Sequence, residues 1–102
     1  MVVTIFRSRL RADADLKALE AAGGRMYELA SGMPGFVSYK DYTAQDGESV
    51  AIVEFTDEAS LLAWRNHPEH RQMQERGRTE FMSEYRIQVC NSLRDYSFSA
   101  GS

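Results

Sequence analysis

The sequence predicts an α+β fold with the element order strand, helix, strand, strand, helix, strand, which is the order of ferredoxin-like domains. Three observations predict it: the first ten residues read as a strand, an apolar stripe at helical spacing follows, and a hairpin signal stands in the middle of the chain. In such a fold the strands form one antiparallel sheet and the helices cover one face of it. We expect a single domain over residues 1–98 and a flexible tail at 99–102.

The first strand and the first helix follow directly from the residue pattern. Val2 to Leu10 mixes β-branched and aromatic residues with alternating polar ones, which is typical of a strand. Asp13 or Asp15 then offers an N-cap for a helix. That helix ends at Gly32 or in the turn residues after it, and its apolar stripe consists of Leu16, Leu19, Gly23, Met26, Ala30 and Met33.

The middle of the chain is a predicted β-hairpin. Phe36 to Thr43 and Ser49 to Phe55 are its strands, and Asp46-Gly47 between them supplies the left-handed conformation that a tight turn requires. The apolar run Val50 to Val53 and the large side chains of the neighbouring strand suggest that both faces of the sheet are buried. Since helices cover only one face, we predict a homodimer packed sheet to sheet.

The second helical region is expected to break in two. Thr56 or Asp57 caps a first piece, which carries Leu61, Leu62 and Trp64. Pro68 disfavours helical geometry at His67 and suits the first turn of a new helix, so the chain should break and restart there. The second piece places four residues on one side, namely His70, Met73, Gly77 and Phe81.

The last strand is predicted over Tyr85 to Leu93, and Arg94 to Phe98 could extend it. It contains Cys90, the single cysteine, which cannot form an intrachain disulfide or a thiolate metal cluster and fits a reducing compartment. A free cysteine within a strand is usually a small buried hydrophobe. We therefore expect Cys90 to be buried.

Composition and charge narrow the classes of function. The net charge of -3 provides no basic surface for nucleic acid. No run of the sequence approaches the ~18 apolar residues of a membrane span, and the N-terminus lacks the hydrophobic region of a signal peptide. We expect a cytoplasmic protein that binds neither nucleic acid nor membranes.

Trp64 to His70 is the stretch most suggestive of a site, because it contains the only tryptophan and both histidines. His70 lies in a first helical turn, where the positive end of the dipole disfavours imidazolium. A neutral imidazole can accept a proton or polarise a carbonyl. For an isolated histidine or tryptophan, a structural role in the core is the commoner one.

Other residue patterns are weaker. His67 and His70 have a spacing that suits a metal only in a continuous helix, which Pro68 prevents, so we expect no metal. No glycine-rich phosphate loop supports a nucleotide cofactor. Tyr85 and Arg86 are neighbours in a strand and face opposite sides, so only one of them lines a given cavity. The other strand residues with hydrogen-bonding capacity are Tyr39 and Tyr42.

Three segments carry a family resemblance: Met33-Pro34-Gly35-Phe36, the strand Val50 to Phe55 ending at Thr56-Asp57, and Ala63-Trp64 to His67-Pro68-Glu69-His70. Together they resemble the antibiotic biosynthesis monooxygenase family of dimeric α+β barrels. The resemblance implies a cofactor-independent oxygenation, in which an electron-rich phenol or anthrone is deprotonated and its carbanion reacts with oxygen directly.

The resemblance also implies roles for individual residues. Trp64 matches the family's pocket tryptophan, His70 stands where a monooxygenase member carries a tyrosine, and Arg86 matches a pocket arginine on the final strand. The haem-degrading branch has an axial histidine at the position of Gln74 and an asparagine in the first strand, which this chain lacks. Haem degradation is therefore disfavoured, although His70 could serve as an improvised ligand.

These observations lead to two main hypotheses. The first is a dimeric monooxygenase that acts on a small aromatic or quinol-like compound without a cofactor. In it His70 is the base or a hydrogen-bond partner of the substrate, Trp64 is the wall and oxyanion donor, and Arg86 is an anion stabiliser. Its expected substrate-binding residues are Tyr39, Tyr85, His67, Met73 and Phe81. The second is a non-catalytic module of the same fold that binds a small molecule or haem. A third reading is a structural dimer whose cavity is filled by Trp64, Met73 and Phe81.

Overall fold

The computed structural model describes residues 1–101 and contains one four-stranded antiparallel sheet with strand order β2-β3-β1-β4. The strands are β1 (Val2–Leu10), β2 (Phe36–Thr43), β3 (Ser49–Phe55) and β4 (Met82–Asn91). The helices are α1 (Leu16–Ser31), α2 (Glu58–Arg65) and α3 (Pro68–Arg76), and a π-helical turn spans Gly77–Phe81. This is the predicted ferredoxin-like α+β fold. Among residues 1–101, no helix is long and apolar enough to cross a membrane.

Local signals begin and end most elements where the sequence predicts. The Asp15 carboxylate accepts a hydrogen bond from the backbone N–H of Ala18 at 3.1 Å and caps α1. The Asp57 carboxylate accepts one from the N–H of Ser60 at 2.8 Å and caps α2. In the hairpin, Gly47 adopts a φ of +89°. Such caps and turns depend on near neighbours in the chain, which is why the sequence reveals them.

The helical break is also confirmed. α2 ends at Arg65 and α3 begins at Pro68, with His67 in an extended conformation between them. The Nδ1 of His67 accepts a hydrogen bond from the backbone N–H of Glu69 at 3.1 Å, so this histidine is the N-cap of α3. The break turns the chain so that α3 approaches the residues at the end of α2.

The last strand differs from the prediction at both ends. β4 begins at Met82 rather than Tyr85 because the π-helical turn ends at Phe81 and Met82 finds a partner at once in Leu10. It ends at Asn91 rather than Leu93, because Asn91 already pairs with Val2 at the start of β1. Arg94 to Phe98 is not a strand. Strand ends depend on the partner strand, which local sequence patterns do not report.

The core lies between the sheet and the helices. It is a contiguous cluster of buried side chains from both layers, namely Val2, Ala30, Val53, Phe55, Leu61 and Trp64. Met33 lies beyond the end of α1 but still packs against this cluster. Burying side chains of this size supplies most of the free energy that opposes the loss of chain entropy.

The opposite face of the sheet, which we call the outer face, is not covered by the helices. Its centre is apolar and partly accessible, with Val3 and Ile5 of β1 beside Ile52 of β3. Cys90 pairs with Val3 from the edge strand β4 and is exposed. The prediction that Cys90 is buried is therefore wrong for the protomer, because no helix covers this face and β4 has a neighbouring strand on one side only.

Candidate functional site

A cavity of about 580 Å³ lies between the sheet and helices α1 and α3. Its walls are mostly apolar, and ligand sites of drug-sized molecules are commonly of this size and character. β1 contributes the alternating residues Thr4, Phe6 and Ser8 to its floor, while α1 contributes Leu19, Gly23 and Met26, and α3 contributes His70, Met73 and Gln74. The cavity therefore lies where the helices stand away from the sheet.

Trp64 and His70 meet in the cavity wall. The Trp64 side chain is only 5% exposed and packs against Phe55 and Tyr39, with ring centroids 5.7 and 6.1 Å away. The His70 ring meets the indole edge-on at a centroid distance of 4.4 Å. Trp64 lies in the last turn of α2 and His70 in the first turn of α3, so the break between the two helices stands directly between the residues that meet. The predicted convergence of Trp64 and His70 is thus present.

Three buried polar atoms facing this cavity have no hydrogen-bond partner among residues 1–101: Thr4 Oγ1, Trp64 Nε1 and His70 Nδ1. A buried polar atom without a partner is costly, and such atoms in native proteins point to a ligand, an ordered water or a function. The sequence alone did not single out Thr4. Its signal was a polar residue at an inward position of β1, but only the strand register shows which positions are inward.

The cavity changes the acid–base properties of its lining residues. Burial, assisted by the nearby charges of Arg65 and His67, lowers the pKa of His70 to about 4. The imidazole is therefore neutral at pH 7, as the helix position predicted, but desolvation is the larger cause. Burial also raises the pKa of Tyr39 to about 12, assisted by the Asp41 carboxylate, whose own pKa is raised by burial.

The predicted substrate-binding residues divide into two groups. Tyr39, Tyr85 and Met73 line the cavity, and Tyr85 also stacks against Phe6 at 5.6 Å. Two other predicted residues do not line it: His67 caps α3, and Phe81 is 1% exposed in the core. Phe81 ends the π-helical turn Gly77–Phe81 and is packed inside rather than on the cavity surface. The Arg76 guanidinium lies over the Phe81 ring, with its central carbon 5.0 Å from the ring centroid.

Comparison with known proteins identifies the family. The sequence profile of the antibiotic biosynthesis monooxygenase family matches residues 1–76. The chain belongs to this family. A curated relative, YqjZ of Bacillus subtilis, is 28% identical over 74 residues, which cover 72% of this chain and 65% of YqjZ, less than two thirds of that relative's own length.

Solved structures share the fold of this antibiotic biosynthesis monooxygenase domain. Rv0793 from Mycobacterium tuberculosis is similar with a TM-score of 0.81 and 25% identity, covering 94% of this chain and 98% of that chain. SnoaB, a cofactor-independent oxygenase from Streptomyces nogalater, is similar with a TM-score of 0.75 and 17% identity, covering 92% of this chain and 94% of that chain. At 17% identity the second similarity shows the fold alone.

The arginine that the family resemblance implied does not lie in the cavity of the protomer. Arg86 stands opposite Arg7 in the register of β4 and β1, whereas its neighbours Tyr85 and Ile87 line the cavity. Adjacent strand residues face opposite sides of a sheet, so the inward position of Tyr85 places Arg86 on the outer face. The prediction that Arg86 joins His70 and Trp64 in this site is corrected accordingly.

The residues of the cavity do not fit the haem ligation of the family's haem-degrading branch. Gln74 faces the cavity at the position of that branch's axial histidine, and an amide is not among the usual ligands of haem iron. Among residues 1–101, no group of three or more histidine, cysteine, aspartate or glutamate side chains is placed to hold a metal ion. His67 and His70 do not act together, because the His67 ring caps a helix while His70 faces the cavity.

Proposed function

We propose that this chain is a cytoplasmic, cofactor-independent monooxygenase for a small aromatic or quinol-like compound. One observation carries the proposal: the unpartnered atoms Trp64 Nε1, His70 Nδ1 and Thr4 Oγ1 face a mostly apolar cavity. A flat aromatic compound would cover the apolar walls, and its phenolic or carbonyl oxygens would satisfy these atoms. Membership of the antibiotic biosynthesis monooxygenase family supports oxygenation as the reaction.

His70 is the proposed base. Its pKa of about 4 leaves it unprotonated at neutral pH and able to accept a proton from the substrate. Proton transfer to His70 from a phenol with a pKa near 10 is unfavourable by about six pKa units, or roughly 8 kcal/mol. An imidazolium and a substrate anion ~4 Å apart attract each other by about 4 kcal/mol at an effective dielectric constant of ~20. The remaining ~4 kcal/mol fits within the ~16 kcal/mol barrier of an enzyme that turns over about ten times a second.

The substrate itself supplies the electrons for the oxygenation. The carbanion passes one electron to O₂, and the resulting radical and superoxide combine to form a C–O bond. The peroxide anion that results takes a proton from the imidazolium of His70 and becomes a hydroperoxide. Loss of water from the hydroperoxide then leaves a carbonyl, so one CH₂ group and one O₂ become one C=O group and one H₂O. Throughout, Trp64 Nε1 donates a hydrogen bond to the oxygen on which negative charge develops.

Oxygen consumption with a hydroxylated anthrone tests the proposal. His70→Gln should lower kcat by about 10²–10⁴-fold, the usual contribution of a general base, and Trp64→Phe should lower kcat/KM because the donor to the oxyanion is lost. The matched control is His70→Gln combined with Gln72→His, which returns an imidazole to α3 at the exposed Gln72. That double variant should remain inactive. Equal turnover by the wild type and His70→Gln would contradict the assignment of the base.

The second candidate function is binding without chemistry. The same unpartnered atoms would hold a ligand whether or not it reacts. Recovery of the unaltered anthrone after binding, without oxygen consumption, would support a small-molecule binding module and contradict the oxygenase.

A homodimer through the outer face is part of this proposal. The apolar centre of that face, formed by Val3, Ile5 and Ile52, is the kind of sheet surface that a second copy covers. The segment after β4 leaves Leu93, Tyr96 and Phe98 at 89%, 84% and 92% exposure, and a partner would cover these side chains as well.

Light scattering with size-exclusion chromatography tests the dimer. The wild type should elute as a dimer, and Ile5→Lys, which adds a charge at the centre of the outer face, should be monomeric. Leu62→Lys is the matched control, because Leu62 is 41% exposed on α2 and its replacement should leave the dimer intact. A monomeric wild type at all concentrations tested would rule out the dimer.

A further inference from the structure

We infer that Gly23 in α1 sets the size of the ligand that the cavity admits. The inference rests on the proposed function for the location of the site. It does not depend on the oxygen chemistry. It adds a residue that determines specificity.

Helix stability does not explain Gly23. This residue and Gly24 lie in the interior of α1, where glycine is the least favourable residue after proline because it loses the most backbone entropy on folding. Gly23 and Gly24 have no positive φ that would require glycine. Two adjacent glycines in a helix interior therefore call for another physical reason.

Close packing does not explain Gly23 either. Interior helix glycines are commonly retained where a neighbouring backbone or side chain comes too close for a Cβ atom. A Cβ added at Gly23 would meet nothing within 4 Å. Open space therefore lies where a side chain at Gly23 would begin, and that space belongs to the cavity that Gly23 lines.

An independent observation points to a ligand in the same space. The side chains of Thr4 and Trp64 are each 5% exposed, and both present an unpartnered polar atom to this cavity from the floor and from the end of α2. Gly23 faces them from α1, which forms the opposite wall. A ligand that contacts these polar atoms and also reaches the Gly23 wall would compete for space with any side chain at Gly23.

The neighbouring glycine has a different position. Gly24 is exposed and also lines a shallow surface depression with Lys17 and Glu20. It lies at the rim of the cavity, where a side chain can turn to solvent. Gly23 alone is the residue whose side chain would be forced into the ligand volume.

The test measures binding by quenching of the fluorescence of Trp64, the only tryptophan. The probes are a hydroxylated anthrone with three fused rings, a naphthohydroquinone with two and hydroquinone with one. Gly23→Leu should weaken anthrone binding by tenfold or more and change hydroquinone binding by less than twofold. Ala21→Leu is the matched control, since Ala21 is exposed on α1 and does not line the cavity; it should leave both affinities unchanged.

Gly23→Ala keeps the test decisive if the leucine variant does not fold. It should raise the melting temperature, because alanine favours the helix, while weakening anthrone binding by two- to threefold. Undiminished anthrone binding in the Gly23 variants would overturn the inference, and so would equal weakening for all ring sizes. A wild type that binds no member of the series would overturn it as well.

Oxygen consumption separates this inference from the proposed function. A wild type that binds anthrone in a Gly23-dependent way without consuming oxygen would end the proposed oxygenation and leave the size assignment standing. A wild type that oxidises anthrone, together with a Gly23→Leu variant that binds it normally, would overturn the role of Gly23 and leave the proposed oxygenation standing.

Discussion

His70→Gln should remove a pH-dependent part of the protein's stability. In the folded chain burial lowers the pKa of His70 to about 4, whereas the ordinary value is 6.5. The unfolded chain therefore binds a proton at this residue between these two values and the folded chain does not. Stability from the neutral imidazole is fully present above pH 6.5 and is lost as the pH falls through about 4.

The magnitude follows from the size of the pKa shift. At about pH 4.5 the linkage relation gives roughly 2.5 kcal/mol of lost stability relative to neutral pH. His70 is only partly buried, and solvent screening reduces the effect to about 1–2 kcal/mol. Glutamine keeps a polar side chain of similar reach but does not titrate, so its packing cost is the same at every pH.

Urea unfolding of the wild type and His70→Gln at about pH 7.5 and pH 4.5 measures this contribution. The wild type should lose about 1–2 kcal/mol more than the variant between the two values. Carboxylates whose pKa values are lowered by their partners, such as Glu69, Asp46 and Asp57, titrate in both proteins and cancel in the difference. Parallel losses in the two proteins would refute the claim that burial holds His70 neutral.

Two further predictions concern local structure. Gly35→Ala should lower the free energy of unfolding by at least ~2 kcal/mol, because its φ is +82° and a Cβ would collide with the Ser60 side chain. Gly47→Ala, at a φ of +89° with open space around it, should lose only about 1 kcal/mol from backbone strain; equal losses measured by urea unfolding would exclude the collision. A double-mutant cycle on the bidentate pair of Arg25 and Glu69, at 2.6 and 2.7 Å between α1 and α3, should give a coupling energy below ~1 kcal/mol that falls with added salt. A coupling above 2 kcal/mol that salt does not change would contradict this estimate.

The part of the candidate site that the sequence predicts is the part built by one short segment. Trp64 and His70 are six positions apart, and the helix break at Pro68 is visible in the sequence. The apolar spacing after Pro68 indicated that His70 points inward, and Met73 follows on the same face of α3. Neighbouring residues and helix periodicity determine these features, so they can be read without the fold.

The remaining part of the site depends on pairing between distant strands. Alternation showed that Tyr85 and Arg86 face opposite sides, but only the register of β4 against β1 decides that Tyr85 is inside. The same register turns Thr4 toward the cavity, where its hydroxyl has no partner. No pattern within either strand contains this information, because a shift of one residue would reverse every side chain.

The sequence by itself determined the element order, the helix caps, the hairpin and the break before α3, because each depends on contacts between residues close in the chain. Tertiary structure alone decided where β4 begins and ends, that Cys90 is exposed, and that Phe81 lies in the core while Gly23 faces open space. These outcomes depend on which distant surfaces meet and how far apart they stay. Packing between the sheet and the helices sets that separation, and with it the cavity in which His70 is held neutral.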